Sequence, residues 1–102
     1  MLKALEAHRE QIAAACARYG VLRLDVFGSA VLGTFRPGKS DIDFLVEFGP
    51  IDLHARVDAY FGLLEDLRRL LGTEVDLVMV DALKNRYIAA AVDRTRQAIY
   101  AA

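Results

Sequence analysis

Leu2, Leu5, Ile12, Cys16 and Tyr19 recur at helical spacings among Glu6, Arg9, Glu10 and Arg18, and Gly20 stands where a left-handed C-terminal cap belongs. This pattern predicts an amphipathic helix over residues 2–19. At residue 21 the period drops to two, with Leu22, Leu24 and Val26 on one face and Arg23 and Asp25 on the other, which predicts a strand with one face more buried through Phe27. A short helix capped by Ser29 is expected up to Gly33, followed by a loop over residues 34–40 that turns at Pro37-Gly38. Residues 41–47 alternate again. Ile42, Phe44, Val46 and Phe48 share one face of this second strand, and Asp41, Asp43 and Glu47 share the other. After Gly49-Pro50, Asp52 is placed to cap a long helix carrying the stripe Leu53, Val57, Tyr60, Phe61, Leu64, Leu67 and Leu71, and Gly72 closes it. Residues 73–80 predict a third strand, with Val75, Leu77 and Met79 opposite Glu74, Asp76, Val78 and Val80. Ile88, Val92, Thr95 and Ile99 trace a last helix to about residue 97, unless residues 98–101 form a short extended end.

Strands alternating with helices predict an α/β (α+β) layering: a small mixed sheet of three to four strands, helices packed on one face and the acidic face left open. A chain of 102 residues is expected to be a single domain with one core. Its 55% apolar and 26% charged content is that of a globular protein, and no apolar run reaches the length of a membrane span. The N-terminal residues mix charge into a helical pattern and show no secretory h-region, so a cytoplasmic location is expected. A net charge of −1 supplies no cationic footprint for nucleic acid. Cys16 falls on the apolar side of its helix and is expected to be a buried structural thiol. His8 and His54 stand alone, without a zinc-ligand cluster around them.

Aspartate is depleted from strands, so Asp41 and Asp43 on one face of an otherwise apolar strand require a reason. Hard divalent cations such as Mg²⁺ are held by one or two carboxylates plus water and phosphate oxygens, and period-two spacing brings both aspartates to the same side. Asp76 joins them if the second and third strands are neighbours, completing a carboxylate set suited to two metals. Upstream, Gly28-Ser29 combines close backbone approach with a hydroxyl donor at the start of a helix, a cradle for a terminal phosphate. Alone, the Gly-Ser pair reads first as an ordinary strand-to-helix turn, and the aspartate pair equally as a solvated strand face; together they are far more specific. Arg36 and Lys39 in the intervening loop are either solvated or in contact with phosphate, and Ser40 is expected to shape the turn instead of acting as a nucleophile. Glu47, about 13 Å along the strand from Asp43, is a rim residue. The candidate catalytic and metal-binding set is therefore Asp41, Asp43 and Asp76, and the candidate nucleotide-binding set is Gly28, Ser29, Arg36, Lys39 and Ser40.

Phe27-Gly28-Ser29, an eleven-residue spacer and Asp41-Ile42-Asp43-Phe44-Leu45-Val46 resemble the Gly-Ser…Asp-x-Asp signature of the DNA polymerase β-like nucleotidyltransferases. More closely, the chain resembles the minimal nucleotidyltransferase (MNT) antitoxins of HEPN/MNT toxin–antitoxin pairs, through Thr73-Glu74-Val75-Asp76-Leu77-Val78 and on to residues 81–88. The resemblance implies the nucleotidyltransferase fold and Mg²⁺-dependent transfer of AMP from ATP to a tyrosine of a HEPN RNase toxin, with which the chain would form a hetero-oligomer. It implies that Gly28 and Ser29 hold the triphosphate, that Asp41 and Asp43 bind both metals, and that Asp76 binds one metal and helps to activate the acceptor hydroxyl. Two departures stand out. The spacer is one residue longer than is common in the family, and Leu32 occupies a position where many members carry Arg. They motivate a second expectation, a degenerate enzyme that silences its toxin by binding alone. A third is transfer to a small molecule.

Overall fold

The structure, a computed structural model, describes residues 3–102. Strands β1 (Val21–Phe27), β2 (Ile42–Phe48), β3 (Val75–Met79) and β4 (Gln97–Ala101) form one mixed sheet in the order β3-β2-β1-β4. β1 is antiparallel to both of its neighbours, and β2 runs parallel to β3. The helices are α1 (Lys3–Ala7), α2 (Arg9–Arg18), α3 (Ser29–Leu32), α4 (Leu53–Leu71), which carries the parallel crossover, and α5 (Arg86–Thr95). Sheet and helices thus make the α/β layering that the periodicity predicts. None of the helices described is long and apolar enough to cross a membrane.

One face of the sheet carries the main core. Leu5, Ile12 and Cys16 from α1 and α2, and Leu63 and Leu67 from α4, bury against Leu24, Val26, Ile42, Phe44, Val46 and Leu77. Cys16 is fully enclosed, and its burial pushes the thiol up to about 12, so it packs as a small apolar group and not as a nucleophile. Asp52 caps α4 as expected, its carboxylate accepting from the Ala55 N–H at 3.0 Å, and Gly72 ends the helix in the left-handed region at φ 64°.

Several local expectations are corrected. The predicted helix over 2–19 is two helices joined at His8, whose ψ of 16° opens the backbone; its carbonyl still accepts from Ile12 at 2.9 Å, so the chain bends without unravelling. Leu2 lies outside the described residues. β2 begins at Ile42, one residue after the predicted start, and β3 is shorter than the predicted 73–80, with residues 80–82 forming a 3₁₀ turn. The last helix stops at Thr95, and the extended alternative for the C-terminal residues is the one realised, as β4. In β1 a register shift between Val21 and Arg23 turns Val21 into the core and leaves Leu22 exposed, against the strict alternation expected there. The predicted α4 stripe divides in the same way: Leu64 and Leu67 are buried, whereas Leu53, Val57 and Phe61 are exposed.

Helices do not confine themselves to one face. α5 lies over the second face, where Val92 packs with Phe27 and Leu45, flanked by Val78 and Leu83. Leu45 sits between Asp43 and Glu47 on that face, and a fully apolar side chain there requires cover. The acidic face is consequently half covered. What remains open is the end at which Asp41, Asp43 and Asp76 stand.

Candidate active site

Parallel pairing of β2 with β3 sets Asp43 directly beside Asp76, and antiparallel pairing of β2 with β1 sets Phe27 on its other side. Asp41 precedes the strand by one residue and is exposed, as is Asp76, while Asp43 between them is half-buried. Burial, reinforced by the like charges of Asp76 and Asp41, pushes the Asp43 carboxyl up from 3.8 to about 6. The three aspartates picked from the sequence are therefore brought together closely enough for Asp76 and Asp41 to oppose the ionisation of Asp43. A donor set of hard carboxylate oxygens with uncompensated negative charge fits Mg²⁺. Among the described residues no three His, Cys, Asp or Glu side chains form a ready-made metal cage, so any cation held here needs further oxygens from water or a phosphate.

The Gly-Ser turn closes on this centre. Gly28 has φ 74° and ψ −142°, and a Cβ placed on it would come within 2.7 Å of Asp43 Oδ2. Only glycine lets the backbone come this close to the carboxylate. The expected cap by Ser29 is not formed: Gly28 occupies the N-cap position, no side chain caps the helix, and Ser29 is its first residue. Gly28 O accepts from the N–H groups of Val31 and Leu32 at 3.0 and 3.1 Å, and Gly33 ends the turn in the left-handed region at φ 80°.

The loop after α3 is held by its own contacts. Ser40 Oγ accepts from the Arg36 N–H at 3.0 Å, and the N–H groups of Lys39 and Ser40 bond to Arg36 O at 3.0 and 2.8 Å. Ser40 thus shapes the turn into β2. The side chains of Arg36 and Lys39 are exposed and make no ion pair among the described residues, so they are free to meet an anion but are not positioned on the aspartates. Leu32 is 65% exposed.

Two further groups border the site. Tyr60, expected in the core stripe, reaches the outer edge of β3, where its hydroxyl donates to Leu77 O at 2.7 Å; burial and the nearby Asp76 charge push its hydroxyl pKa up. At the other side, Thr95 Oγ1 accepts from the Gly28 N–H at 2.9 Å. Next to it, Arg96 Nε and Nη2 lie 2.7 and 2.6 Å from Asp25 Oδ2, and Arg23 Nε donates to Asp25 Oδ1 at 2.8 Å. Asp25 was expected on the less buried face of β1 and is completely buried. Alternation alone does not find this group. A carboxylate four residues upstream of Ser29 and an Arg immediately after a helix end are each commonplace, and only strand pairing brings them together.

Comparison with known proteins identifies the family to which this fold belongs. A family model described as a nucleotidyltransferase domain matches residues 8–99. "Putative protein adenylyltransferase MJ0128" of Methanocaldococcus jannaschii is 38% identical over 76 residues, which cover 74% of each chain. A solved structure described as a "putative minimal nucleotidyltransferase" superposes with a TM-score of 0.66 at 34% identity, covering 91% of this chain and 90% of the other. Two solved toxin–antitoxin complexes share the fold. One contains AMP-PNP (TM-score 0.67, 22% identity, covering 92% of this chain and 73% of that one). The other is a tri-AMPylated Shewanella oneidensis HEPN toxin with its MNT antitoxin (TM-score 0.58, 18% identity, covering 96% and 73%). With the family model spanning most of its length and the Gly-Ser turn seated on paired aspartates, the chain belongs to the nucleotidyltransferase domain family.

Proposed function

We propose that this nucleotidyltransferase is an antitoxin that transfers AMP from ATP, with Mg²⁺, to a tyrosine of a cognate HEPN RNase toxin in the cytoplasm. The observation that carries the proposal is the seating of the Gly28–Ser29 turn directly on Asp43, with Asp76 beside it on β3 and Asp41 just ahead of it. Gly28 and Ser29 hold the triphosphate, and Arg36 and Lys39 bring cations to it from the adjoining loop. Asp41, Asp43 and Asp76 hold Mg²⁺, which supplies charge neutralisation at the phosphates. The acceptor oxygen bonds to the α-phosphorus as the bond from that phosphorus to the β-phosphate bridging oxygen breaks. Pyrophosphate leaves, and Asp76, exposed on β3, accepts the proton of the acceptor hydroxyl. The name of the archaeal relative and the nucleotide chemistry of the fold neighbours support adenylyl transfer to a protein. Exposed Leu53, Val57 and Phe61 give α4 an apolar surface suited to a partner, supporting a hetero-oligomer.

The test combines the chain with the product of the neighbouring gene, ATP and Mg²⁺, and follows the partner's intact mass. Addition of one or more AMP units is expected, and its loss in Asp41→Asn with Asp43→Asn. Exposed Leu32, in a place where a cation would grip phosphate, favours a second reading in which the chain silences its partner by occlusion. In that case the doubly substituted chain still suppresses toxicity and no adduct forms on the active partner.

A further inference from the structure

We infer that Thr95 is a positioning residue for the nucleotide site: it holds the Gly28–Ser29 turn against Asp43 and so ties nucleotide affinity to the α5–β4 junction. This inference rests on the nucleotidyl-transfer reading above and adds to it a residue outside the Gly-Ser and Asp-x-Asp motifs.

The geometry starts with the sheet register. β1 pairs Asp25 with Ala98 and Val26 with Gln97, and carrying that antiparallel register two residues further places Thr95 opposite Gly28. The backbone ladder ends at Gln97, and the Thr95 side chain continues it: Oγ1 accepts from the Gly28 N–H at 2.9 Å. Its own hydroxyl hydrogen is committed elsewhere, to Ala91 O at 2.9 Å one helical turn back. Oγ1 therefore presents lone pairs to the turn. Toward the turn, a threonine in this state can act only as an acceptor, which is what an amide in this position requires.

Thr95 is itself immobilised. The Arg96 N–H bonds to Val92 O at 2.7 Å, and the Arg96 guanidinium is clamped on buried Asp25. Consecutive residues 95, 96 and 97 thus each grip β1 or the turn that follows it, by hydroxyl, guanidinium and backbone in succession. Because Gly28 stands against Asp43 Oδ2, a turn released from Thr95 changes both the phosphate cradle and the space around the central carboxylate. The arrangement also redefines the part played by Gly28. Its N–H is spent on Thr95, so its contribution to phosphate binding is shape, and the free donors of the cradle begin at Ser29.

The experiment compares the whole chain with Thr95→Val, which keeps the shape but removes the acceptor, and Thr95→Ser, which restores it. Two quantities are read on each: hydrogen-exchange protection of the Gly28 amide by NMR, and the Kd for AMP-PNP with Mg²⁺. A dispersed spectrum elsewhere establishes that each variant is folded. Thr95→Val is expected to lose about tenfold in Gly28 protection and about tenfold in nucleotide affinity, the scale of one hydrogen bond with its amide left unpaired. Thr95→Ser is expected to stay near the parent in both. A Gly28 amide equally protected in Thr95→Val overturns the positioning role, as does a Thr95→Ser chain that falls as far as Thr95→Val. Unchanged affinity in Thr95→Val, with protection lost, overturns the link to nucleotide binding. A parent chain that binds no AMP-PNP at all overturns the nucleotidyl-transfer reading itself, and the exchange data still decide whether Thr95 holds the turn.

Discussion

Asp43 Oδ2 lies 2.7 Å from the point that a Cβ on Gly28 would occupy, so the Gly28–Ser29 turn and the central carboxylate compete for one volume. Gly28 also has φ 74° and ψ −142°, a region essentially reserved to glycine. Gly28→Ala is therefore expected to lose about 1–3 kcal/mol of stability from the backbone alone. It is also expected to displace the Asp43 carboxylate and so lower nucleotide transfer by more than the loss of folded protein explains. Urea unfolding beside initial-rate assays separates the two effects. A Gly28→Ala chain that unfolds and reacts like the parent contradicts this close approach.

The raised pKa of Asp43 has a consequence for stability. In the folded chain this carboxyl keeps its proton up to about 6, whereas its ordinary value is 3.8. Between those values the folded state binds more protons than the unfolded state, so the contribution is fully present below 3.8 and is lost as pH rises through about 6. Asp43→Asn removes the penalty. The variant is expected to exceed the parent in stability at about pH 7 by about 1 kcal/mol, the shift being discounted because the group is half-exposed, and to match it at about pH 4. Mg²⁺ at neutral pH is expected to raise the melting temperature of the parent and not of the variant. Parallel pH–stability curves for the two chains would remove Asp43 as the group responsible.

How much of this was legible in the sequence depends on the range over which each residue's environment is decided. Asp43 was legible because alternation with Ile42, Phe44 and Val46 is local, and Asp76 because the same alternation recurs around Val75 and Leu77. Whether the two meet required only that β2 and β3 be neighbours. The burial of Asp25 is not a property of β1: it depends on β4 forming at all, and on Arg96 arriving from 71 residues away. The cover of the second face was missed for a related reason. Leu45 was outvoted by the acidic residues on either side of it, and α5, amphipathic though it is, gives no sign of which face it will cover. Thr95 fell in the apolar stripe of the last helix, where a hydroxyl reads as a tolerated substitution; its acceptor role exists only once Gly28 is opposite.

The Asp25–Arg96 pair offers a direct measure of how firmly the C-terminal segment holds β1. The Asp25 side chain is only 1% exposed, whereas that of Arg96 is 33% exposed. Removing the arginine thus leaves a buried carboxylate short of charge, and removing the acid leaves a cation that reaches water. Arg96→Ala is expected to cost about 3 kcal/mol of stability, near the lower end for breaking a buried pair because Arg23 still donates to Oδ1. Arg23→Ala is expected to cost less, since Arg96 retains both its contacts to Asp25. Unfolding in urea gives the order. An Arg96→Ala cost of about 0.5 kcal/mol, typical of a surface substitution, would mean that the pair does not carry the junction.

Gly62 presents the opposite case to Gly28, a glycine retained for packing in a place where helix propensity argues against it. It lies inside α4, where alanine is favoured over glycine by roughly 1 kcal/mol. A Cβ there, however, would stand 2.6 Å from Cε1 and 2.8 Å from Cζ of Tyr19, whose ring packs against the core at the end of α2. Overpacking of this kind costs about 1–3 kcal/mol, which exceeds the gain in propensity over most of its range. Gly62→Ala is accordingly expected to destabilise the chain slightly, contrary to the usual effect of the substitution in a helix. Tyr19→Leu shortens the side chain and makes room for the methyl group. In that background Gly62→Ala is expected to change sign and stabilise by up to about 1 kcal/mol. A double-mutant cycle on the two positions measures the coupling directly, and a coupling indistinguishable from zero would show that the Tyr19 ring does not exclude a side chain at position 62.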